Sequence, residues 1–90
     1  DRVRHVTGSI DTLDDGNYDL ILANIYGDLL LDLAPDIISR LNPGGYLLVS
    51  GMLWEYDFEV RKTYEKLGCE VIKKKQLEEF CTHLYRYKRT

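Results

Sequence analysis

The sequence predicts an α/β fold in which an open, mostly parallel sheet carries helices on its faces and ends in an antiparallel hairpin. Strand-like apolar runs alternate with segments of helical periodicity, and this alternation is typical of right-handed crossovers and parallel strands. The last two strand-like segments are joined by the polar segment 76–79, which is too short for a crossover and so predicts a hairpin. The length of 90 residues allows one small domain.

The first two predicted strands differ in character. Residues 2–7 alternate in the way that a short edge strand does, and polar turn residues fill 8–17. The run from Tyr18 to Ile25 is almost continuously apolar and has turn-forming residues on both sides. We therefore expect this run to be a strand of a parallel sheet that is buried on both faces.

A broad apolar stripe between Asp28 and Leu41 predicts a helical region. Asp28 is expected to cap its start, and Pro35 is expected to begin a new helical segment or to kink the helix. The Asn-Pro-Gly-Gly segment at 42–45 is expected to end the helix, and the apolar run 46–51 is expected to form the next strand.

The C-terminal part predicts one helix and two strands. The helix is expected at about 56–67, and Gly68 is well placed to end it in the left-handed conformation. Strands are expected at 69–75 and 80–88. The last strand would direct alternate side chains to opposite faces of the sheet, with Phe80, Thr82 and Leu84 on one and Cys81, His83, Tyr85 and Tyr87 on the other.

Composition and charge exclude several classes of protein. Hydrophobic residues make up 44% and charged residues 30%, which is typical of a globular domain. No apolar run approaches the roughly 20 residues of a membrane helix, and no signal segment opens the chain. The net charge of −3 lacks the basic excess of nucleic-acid-binding domains. The two cysteines, Cys69 and Cys81, are too few for a disulfide framework, so we expect buried, reduced thiols in a cytoplasmic protein.

Two further groups of residues have simple interpretations. The basic segment 73–75, together with the basic residues at 86–89, is typical of charges that protect an exposed edge strand, with contact to RNA as the alternative. His5 and His83 have no Cys or acidic residue at metal-ligand spacing, so we expect no metal site.

Three segments fall at the carboxyl ends of predicted strands, where open α/β sheets bind their ligands: 8–11, 24–27 and 50–54. Asn24 is the notable residue, because it places a polar amide at the end of an apolar strand. Its side chain can cap Gly27 or the following helix. It can also offer its oxygen, together with its backbone carbonyl, to a substrate amine. The residues alone leave both interpretations open.

Four motifs carry a resemblance to a known family. They are Tyr-Asp-Leu-Ile-Leu-Ala-Asn-Ile at 18–25, Leu-Ala-Pro at 33–35, Leu-Asn-Pro-Gly-Gly at 41–45 and Leu-Val-Ser-Gly-Met-Leu at 48–53. Together they are very similar to the bacterial methyltransferase family of the eleventh large-subunit ribosomal protein, and the similarity extends over nearly the whole chain. The resemblance implies a Rossmann-like sheet and methyl transfer from S-adenosylmethionine to amines of a ribosomal protein.

The resemblance also implies roles for single residues. Asn24 would be the catalytic residue beside the reacting amine and, with Ile25, would also line the cofactor. Gly8 and Ser9 would lie beside the adenine ring, although a turn residue or helix cap is the alternative for Ser9.

Two aromatic residues are candidates for the mouth of the substrate site. Tyr26 would be an aromatic platform next to Asn24. Related enzymes have an Asn/Asp-Pro-Pro-aromatic motif here, and in this sequence Ile25 replaces the first proline. Trp54 would line the same mouth, and packing over the helix at Val60 is its alternative interpretation.

The resemblance further implies that residues 1–90 are the carboxyl-terminal half of a catalytic domain. The family's glycine-rich cofactor turn and its ribose-binding acid would precede position 1, and the chain has no initiator Met. We therefore expect a fragment that is inactive in isolation and binds S-adenosylmethionine weakly or not at all. The alternative is a non-catalytic half-domain that serves as an oligomerisation or binding module. In either case the edge of the strand 18–25 is bare except where residues 2–7 cover it. We therefore expect a homodimer that forms through this edge or through exchange of the strand 2–7. An in-frame glycine-rich motif upstream would favour the first interpretation.

Overall fold

The computed structural model describes residues 3–7 and 17–88. The strands are β1 (Val3–Thr7), β2 (Tyr18–Asn24), β3 (Leu41–Leu53), β4 (Cys69–Leu77) and β5 (Phe80–Tyr87). The helices are α1 (Gly27–Asp32), α2 (Ala34–Ser39) and α3 (Asp57–Lys66), and a 3₁₀ turn at Trp54–Tyr56 leads into α3.

The five strands in the described residues form one mixed sheet in the order β1-β2-β3-β5-β4. β1, β2 and β3 are parallel, whereas β5 is antiparallel to both β3 and β4. The predicted α/β class, with a mostly parallel sheet and a C-terminal hairpin, is confirmed. Because β5 returns between β3 and β4, the strand β4 with its exposed lysines at 73–75 forms one edge of the sheet, as expected.

β1 forms the other edge of the sheet. It pairs with β2 over five residues, from Val3 opposite Leu20 to Thr7 opposite Asn24. The neighbouring strand β3 covers the other side of β2. The edge of β2 is therefore covered by the N-terminal segment from Leu20 to Asn24, and the open edge has moved outward to β1.

The helices of the described residues lie on one face of the sheet. That face is buried against the helices, and the core includes Ile21 and Leu47 of the sheet together with Leu30 and Ile37 of the helices. Residues on the opposite face, including Leu20, Leu22, Leu48 and Leu84, are only partly buried, and Tyr46 is 42% exposed. The prediction that the strand 18–25 is buried on both faces is therefore wrong, because the described residues supply helices for one face only.

The helical region after β2 consists of two short helices. Pro35 lies in the first turn of α2, which confirms that it begins a new segment. Asp28 is not the cap of α1. The capping position belongs to Tyr26, and the Asp28 carboxylate lies inside the first turn, where its Oδ1 accepts a hydrogen bond from the Leu29 amide at 3.0 Å. The helix begins one residue before Asp28 because Gly27 already has helical geometry.

Two boundaries differ from the expected ones. The strand β3 begins at Leu41 rather than at 46, because the chain becomes extended directly after α2 and passes through Pro43 with a register shift against β2. The helix α3 begins at Asp57, after the 3₁₀ turn, and Gly68 follows it with φ +103° as predicted.

Both cysteines are free and buried, as expected. Burial raises the pKa of the Cys69 thiol to about 12, and the pKa of the Cys81 thiol is also raised by burial and by the charge of Asp57. Both side chains therefore remain thiols at neutral pH. In the described part of the chain, no helix has the length and apolar character needed to cross a membrane.

Candidate functional site

The carboxyl ends of the three parallel strands meet at one edge of the sheet. Asn24, the last residue of β2, lies between Thr7 of β1 and Ser50 of β3. This arrangement follows from the parallel pairing, which brings the carboxyl ends of neighbouring strands together. Asn24 therefore occupies the position at which this class of sheet binds ligands.

The side chain of Asn24 is exposed and makes no hydrogen bond with any residue in the ranges 3–7 and 17–88. It does not cap α1, because the start of that helix has no side-chain cap. The capping interpretation of Asn24 thus has no support within these ranges. The amide oxygen and nitrogen remain available to a ligand.

Gly51 leaves room for the side chain of Asn24, because it has no Cβ. Its φ of +77° lies in the left-handed region, which L residues rarely adopt. A Cβ at this position would also collide with the Oδ1 atom of Asn24. The backbone at this position therefore favours glycine, and any larger residue would displace the Asn24 amide.

A shallow cleft of about 280 Å³ is lined by Asn24, Ile25, Tyr26 and Gly51. Tyr26 is 76% exposed, so its ring is available as a wall of the cleft. Ile25 is only 4% exposed, so its side chain belongs to the core. None of these four lining residues is charged. The structure thus brings together three of the residues singled out in the sequence and adds Gly51.

The start of α1 is held beside this cleft by an aromatic contact. Any side chain larger than hydrogen at Gly27 would overlap the ring of Tyr56, so the ring packs directly on the glycine backbone. Sequence reasoning did not find this contact. The sequence contained an indication of it, because Gly27 lies between a strand and a helix, where a glycine often allows another group to approach the backbone closely.

Trp54 does not line the Asn24 cleft. It is 55% exposed and lines a separate cleft of about 290 Å³ together with Asp57, Lys74, Lys75, Gln76 and Cys81. It is not a member of the core cluster that contains the fully buried Val60. Trp54 thus lies apart from the Asn24 cleft, and its role stays a prediction. Gly8 and Ser9 lie outside the described residues.

A buried polar cluster lies behind the Trp54 cleft. His83 is fully buried, with its Nε2 atom 2.7 Å from Oδ1 of Asp57 and its Nδ1 atom 2.8 Å from the hydroxyl of Tyr85. The sequence showed no acidic partner for His83 because Asp57 is 26 residues away along the chain. A histidine on the buried face of a central strand was the available signal, since a buried imidazole requires hydrogen-bond partners.

The charges around this cluster act on both partners. Burial lowers the pKa of His83, the hydrogen bond and charge of Asp57 oppose this change, and Lys74 and Arg61 reinforce it. For Asp57, burial acts to raise the pKa, but the hydrogen bond and charge of His83 and the charge of Lys74 lower it overall. At neutral pH the pair therefore consists of a carboxylate and a neutral imidazole.

Known proteins that are similar to this chain support the fold and the family that the sequence motifs indicate. A protein from Campylobacter concisus named ribosomal protein L11 methyltransferase is 35% identical over 80 residues, which cover 89% of this chain and 28% of that protein. A protein of the same name from Trichlorobacter lovleyi is 43% identical over 65 residues, 72% of this chain and 21% of that protein. The chain thus spans about a quarter of the length of these curated relatives.

Solved structures share the fold. The crystal structure of ribosomal protein L11 methylase from Lactobacillus delbrueckii subsp. bulgaricus matches with a TM-score of 0.79 and 26% identity over 89% of this chain and 41% of that one. The N-methyltransferase NodS from Bradyrhizobium japonicum, solved with S-adenosyl-L-homocysteine, matches in fold with a TM-score of 0.64 at 15% identity over 91% of this chain and 53% of that one. The family model described as ribosomal protein L11 methyltransferase (PrmA) matches residues 2–88. The chain therefore belongs to the ribosomal protein L11 methyltransferase family.

Proposed function

We propose that this chain is the carboxyl-terminal half of an S-adenosylmethionine-dependent methyltransferase domain, and that its contribution is to align the amine of a ribosomal protein. The observation that carries the proposal is the position of Asn24. Its amide lies at the carboxyl end of a parallel strand, without a hydrogen-bond partner among the described residues, in an uncharged cleft walled by Tyr26. A ribosomal protein substrate would place this activity in the cytoplasm.

Methyl transfer to an amine requires a neutral nitrogen whose lone pair is directed in line with the methyl group. The side-chain oxygen and the backbone carbonyl of Asn24 can both accept N–H hydrogen bonds, which would hold the amine in one orientation. An uncharged cleft favours the deprotonated amine because it contains no carboxylate to stabilise an ammonium. No covalent nucleophile is needed, so the rate enhancement comes chiefly from positioning.

The cofactor would supply the electrophilic methyl group of its sulfonium centre. The described residues fit only the methyl end of such a molecule. The Asn24 cleft has no acidic side chain for ribose hydroxyls and no basic side chain for a carboxylate. Gly44 and Gly45 lie within β3 and do not open a helix, so they provide no anion-binding turn. By resemblance, Gly8 and Ser9 would contact the adenine. We therefore expect weak cofactor binding by this chain and full activity only with a complementary amino-terminal half.

The proposal can be tested in a chimaera in which residues 2–88 replace the matching segment of the Campylobacter concisus relative. The chimaera is expected to methylate a ribosomal protein substrate. Asn24→Ala should lower turnover about 100-fold, because misplacement of the amine by about 1 Å has an effect of that size, while cofactor affinity changes little. Asn42→Ala is the matched control. Asn42 lies at the start of β3, away from the cleft, and its side-chain amide donates a hydrogen bond to Asp19 of β2.

Gly51→Ala provides a second test of the same cleft. The added methyl group must displace the Asn24 amide, so turnover should fall as it does for Asn24→Ala. Gly44→Ala is the control, because Gly44 has a similar φ of +81° but only an ordinary contact with Arg86. Equal losses of turnover and cofactor affinity in the Asn24 variant would mean that Asn24 has a structural role.

The open edge and the open face of the sheet favour a second candidate function, a binding module that forms a homodimer. The outer edge of β1 has no partner strand among the described residues, and unpaired edges tend to pair with other chains. Two-fold pairing of β1 with a second copy would close this edge. Equilibrium sedimentation of the 90-residue chain is expected to show dimers, and a monomer at high concentration would contradict this candidate.

A further inference from the structure

The cluster of Asp57, His83 and Tyr85 connects α3 to β5, and Lys74 extends it to β4. Asp57 is the first residue of α3, and the other two lie on β5. His83 and Tyr85 have no exposed surface, and the Tyr85 ring stacks on Tyr64 of α3 with ring centroids 5.5 Å apart. On the outer side, Oδ2 of Asp57 lies 3.4 Å from Nζ of Lys74 on β4. The start of the helix is thus bound to both strands of the C-terminal hairpin.

The hydrogen bonds fix the proton positions in the cluster. An ionised carboxylate can only accept, so Nε2 of His83 must carry a hydrogen and donate it to Asp57. The Nδ1 atom of the neutral ring is then an acceptor, and the Tyr85 hydroxyl donates to it. All polar atoms of the imidazole are satisfied in this one protonation state.

A second proton on His83 disrupts this arrangement. Nδ1 becomes a donor, and the Tyr85 hydroxyl must turn its own hydrogen away. No other described residue accepts a hydrogen bond from Tyr85, and the group is fully buried, so this hydrogen would lose its partner. The added charge would also lie near the cations of Lys74 and Arg61, both of which already contact Asp57.

The cluster holds a segment that packs on Gly27, which directly follows Tyr26 of the Asn24 cleft. The 3₁₀ turn at Trp54–Tyr56 directly precedes Asp57, and its Trp54 amide donates to the Glu79 carbonyl in the hairpin turn at 2.8 Å. The Tyr56 ring of the same turn packs on Gly27 at the start of α1. Release of Asp57 would therefore loosen the 3₁₀ turn from the hairpin and the Tyr56 ring from α1.

We propose that Asp57, His83 and Tyr85 form an acid-sensitive latch that holds the 3₁₀ turn and the start of α3 on the C-terminal hairpin and opens when His83 gains a proton. The latch does not depend on methyl transfer. Within a complete enzyme it would make the geometry beside Asn24 dependent on pH, which makes His83 a positioning residue.

The direction of the pH dependence follows from the charges that face His83. These are Asp57 and Arg61 on α3, Lys74 on β4 and the Tyr85 hydroxyl on β5. Their combined effect with burial leaves the pKa of His83 below its ordinary value of 6.5. The folded state therefore binds the proton more weakly than the unfolded chain. The latch contributes its full stability above pH 6.5 and loses it as the pH falls through the lowered pKa of His83.

The experiment is an NMR titration of the full 90-residue chain in a His5→Gln background, which leaves His83 as the only imidazole. We expect one His83 titration with a midpoint below 6.5. The hydrogen-exchange protection of the Trp54 amide should fall by up to about tenfold per pH unit between 6.5 and that midpoint, because one proton is linked to opening, and it should level off below the midpoint. The Lys88 amide, which donates to Gly68 at the other end of the hairpin, is the internal control and should keep its protection.

Two variants separate the latch from general acid unfolding. His83→Gln retains a donor for Asp57 and an acceptor for Tyr85 but cannot titrate, so the pH dependence of Trp54 protection should disappear. Asp57→Asn removes the charge that raises the pKa of His83, so the midpoint should move to lower pH. If His83→Gln does not fold, the Asp57→Asn shift still decides the matter. The proposal is overturned by a His83 midpoint at or above 6.5, or by Trp54 protection that does not follow the titration of His83.

Discussion

The two faces of the sheet have similarly apolar sequences but different surroundings. On the face that carries Ile21, Leu47 and Val49, the helices exclude solvent completely. On the face that carries Leu22, Leu48 and Leu84, the side chains remain partly exposed. From Leu20 to Asn24 of β2 and from Gly45 to Ser50 of β3, the two kinds of position alternate. An apolar strand sequence therefore indicates which faces are suited to burial, whereas the neighbouring elements determine which face is buried.

The difference extends to the polar groups. The covered face contains a tyrosine hydroxyl and an imidazole that are fully buried, and each has hydrogen-bond partners. The open face carries the exposed Tyr46. It also carries Asn24 at the carboxyl end of β2, and the side-chain amide of Asn24 has no hydrogen-bond partner among the described residues. Buried polar groups need hydrogen-bond partners within the protein, and these groups have them. The covered face is expected to contribute most of the stability. The open face remains available for a partner or ligand.

The largest effect is expected for a neighbouring pair of leucines on β3. Leu47→Ala removes a fully buried side chain from the covered face and should reduce the free energy of unfolding by about 2–5 kcal/mol. Leu48→Ala, on the open face, should reduce it by about 1 kcal/mol or less, because its side chain is already partly in contact with water. Urea denaturation of both variants would measure the difference. Equal losses would show that something, such as a second copy, covers the open face in solution.

A smaller effect is expected for a pair of tyrosines. The Tyr64 hydroxyl donates to the Leu30 carbonyl at 2.8 Å and joins α3 to α1. Tyr64→Phe leaves that carbonyl buried without its donor and should reduce the free energy of unfolding by about 1–2 kcal/mol. Tyr46→Phe, on the open face, should leave it unchanged within measurement error, because the ring is 42% exposed. A clear loss for Tyr46→Phe would reveal a hydrogen bond on the face that looks open.

Much of the fold could be predicted because its determinants are local. The alternation of strands and helices, the new helical segment at Pro35 and the end of α3 at Gly68 follow from periodicity and backbone preference. The position of Asn24 at the carboxyl end of β2 followed from the same pattern together with the similarity of its motif to a known family. The cap of α1 could not be assigned correctly, because Gly27 enters the helix under a ring that comes from a distant part of the chain.

Residues that are near one another along the chain specify the elements, the mostly parallel sheet, the C-terminal hairpin and the family. Packing between distant segments specifies which face of the sheet is covered, that β1 covers the edge of β2 from Leu20 to Asn24, and that Trp54 lies apart from Asn24. It also brought together Asp57 and His83, which are 26 residues apart in sequence. The physical reason is that contacts between distant segments depend on packing and strand register, which no local pattern of residues specifies.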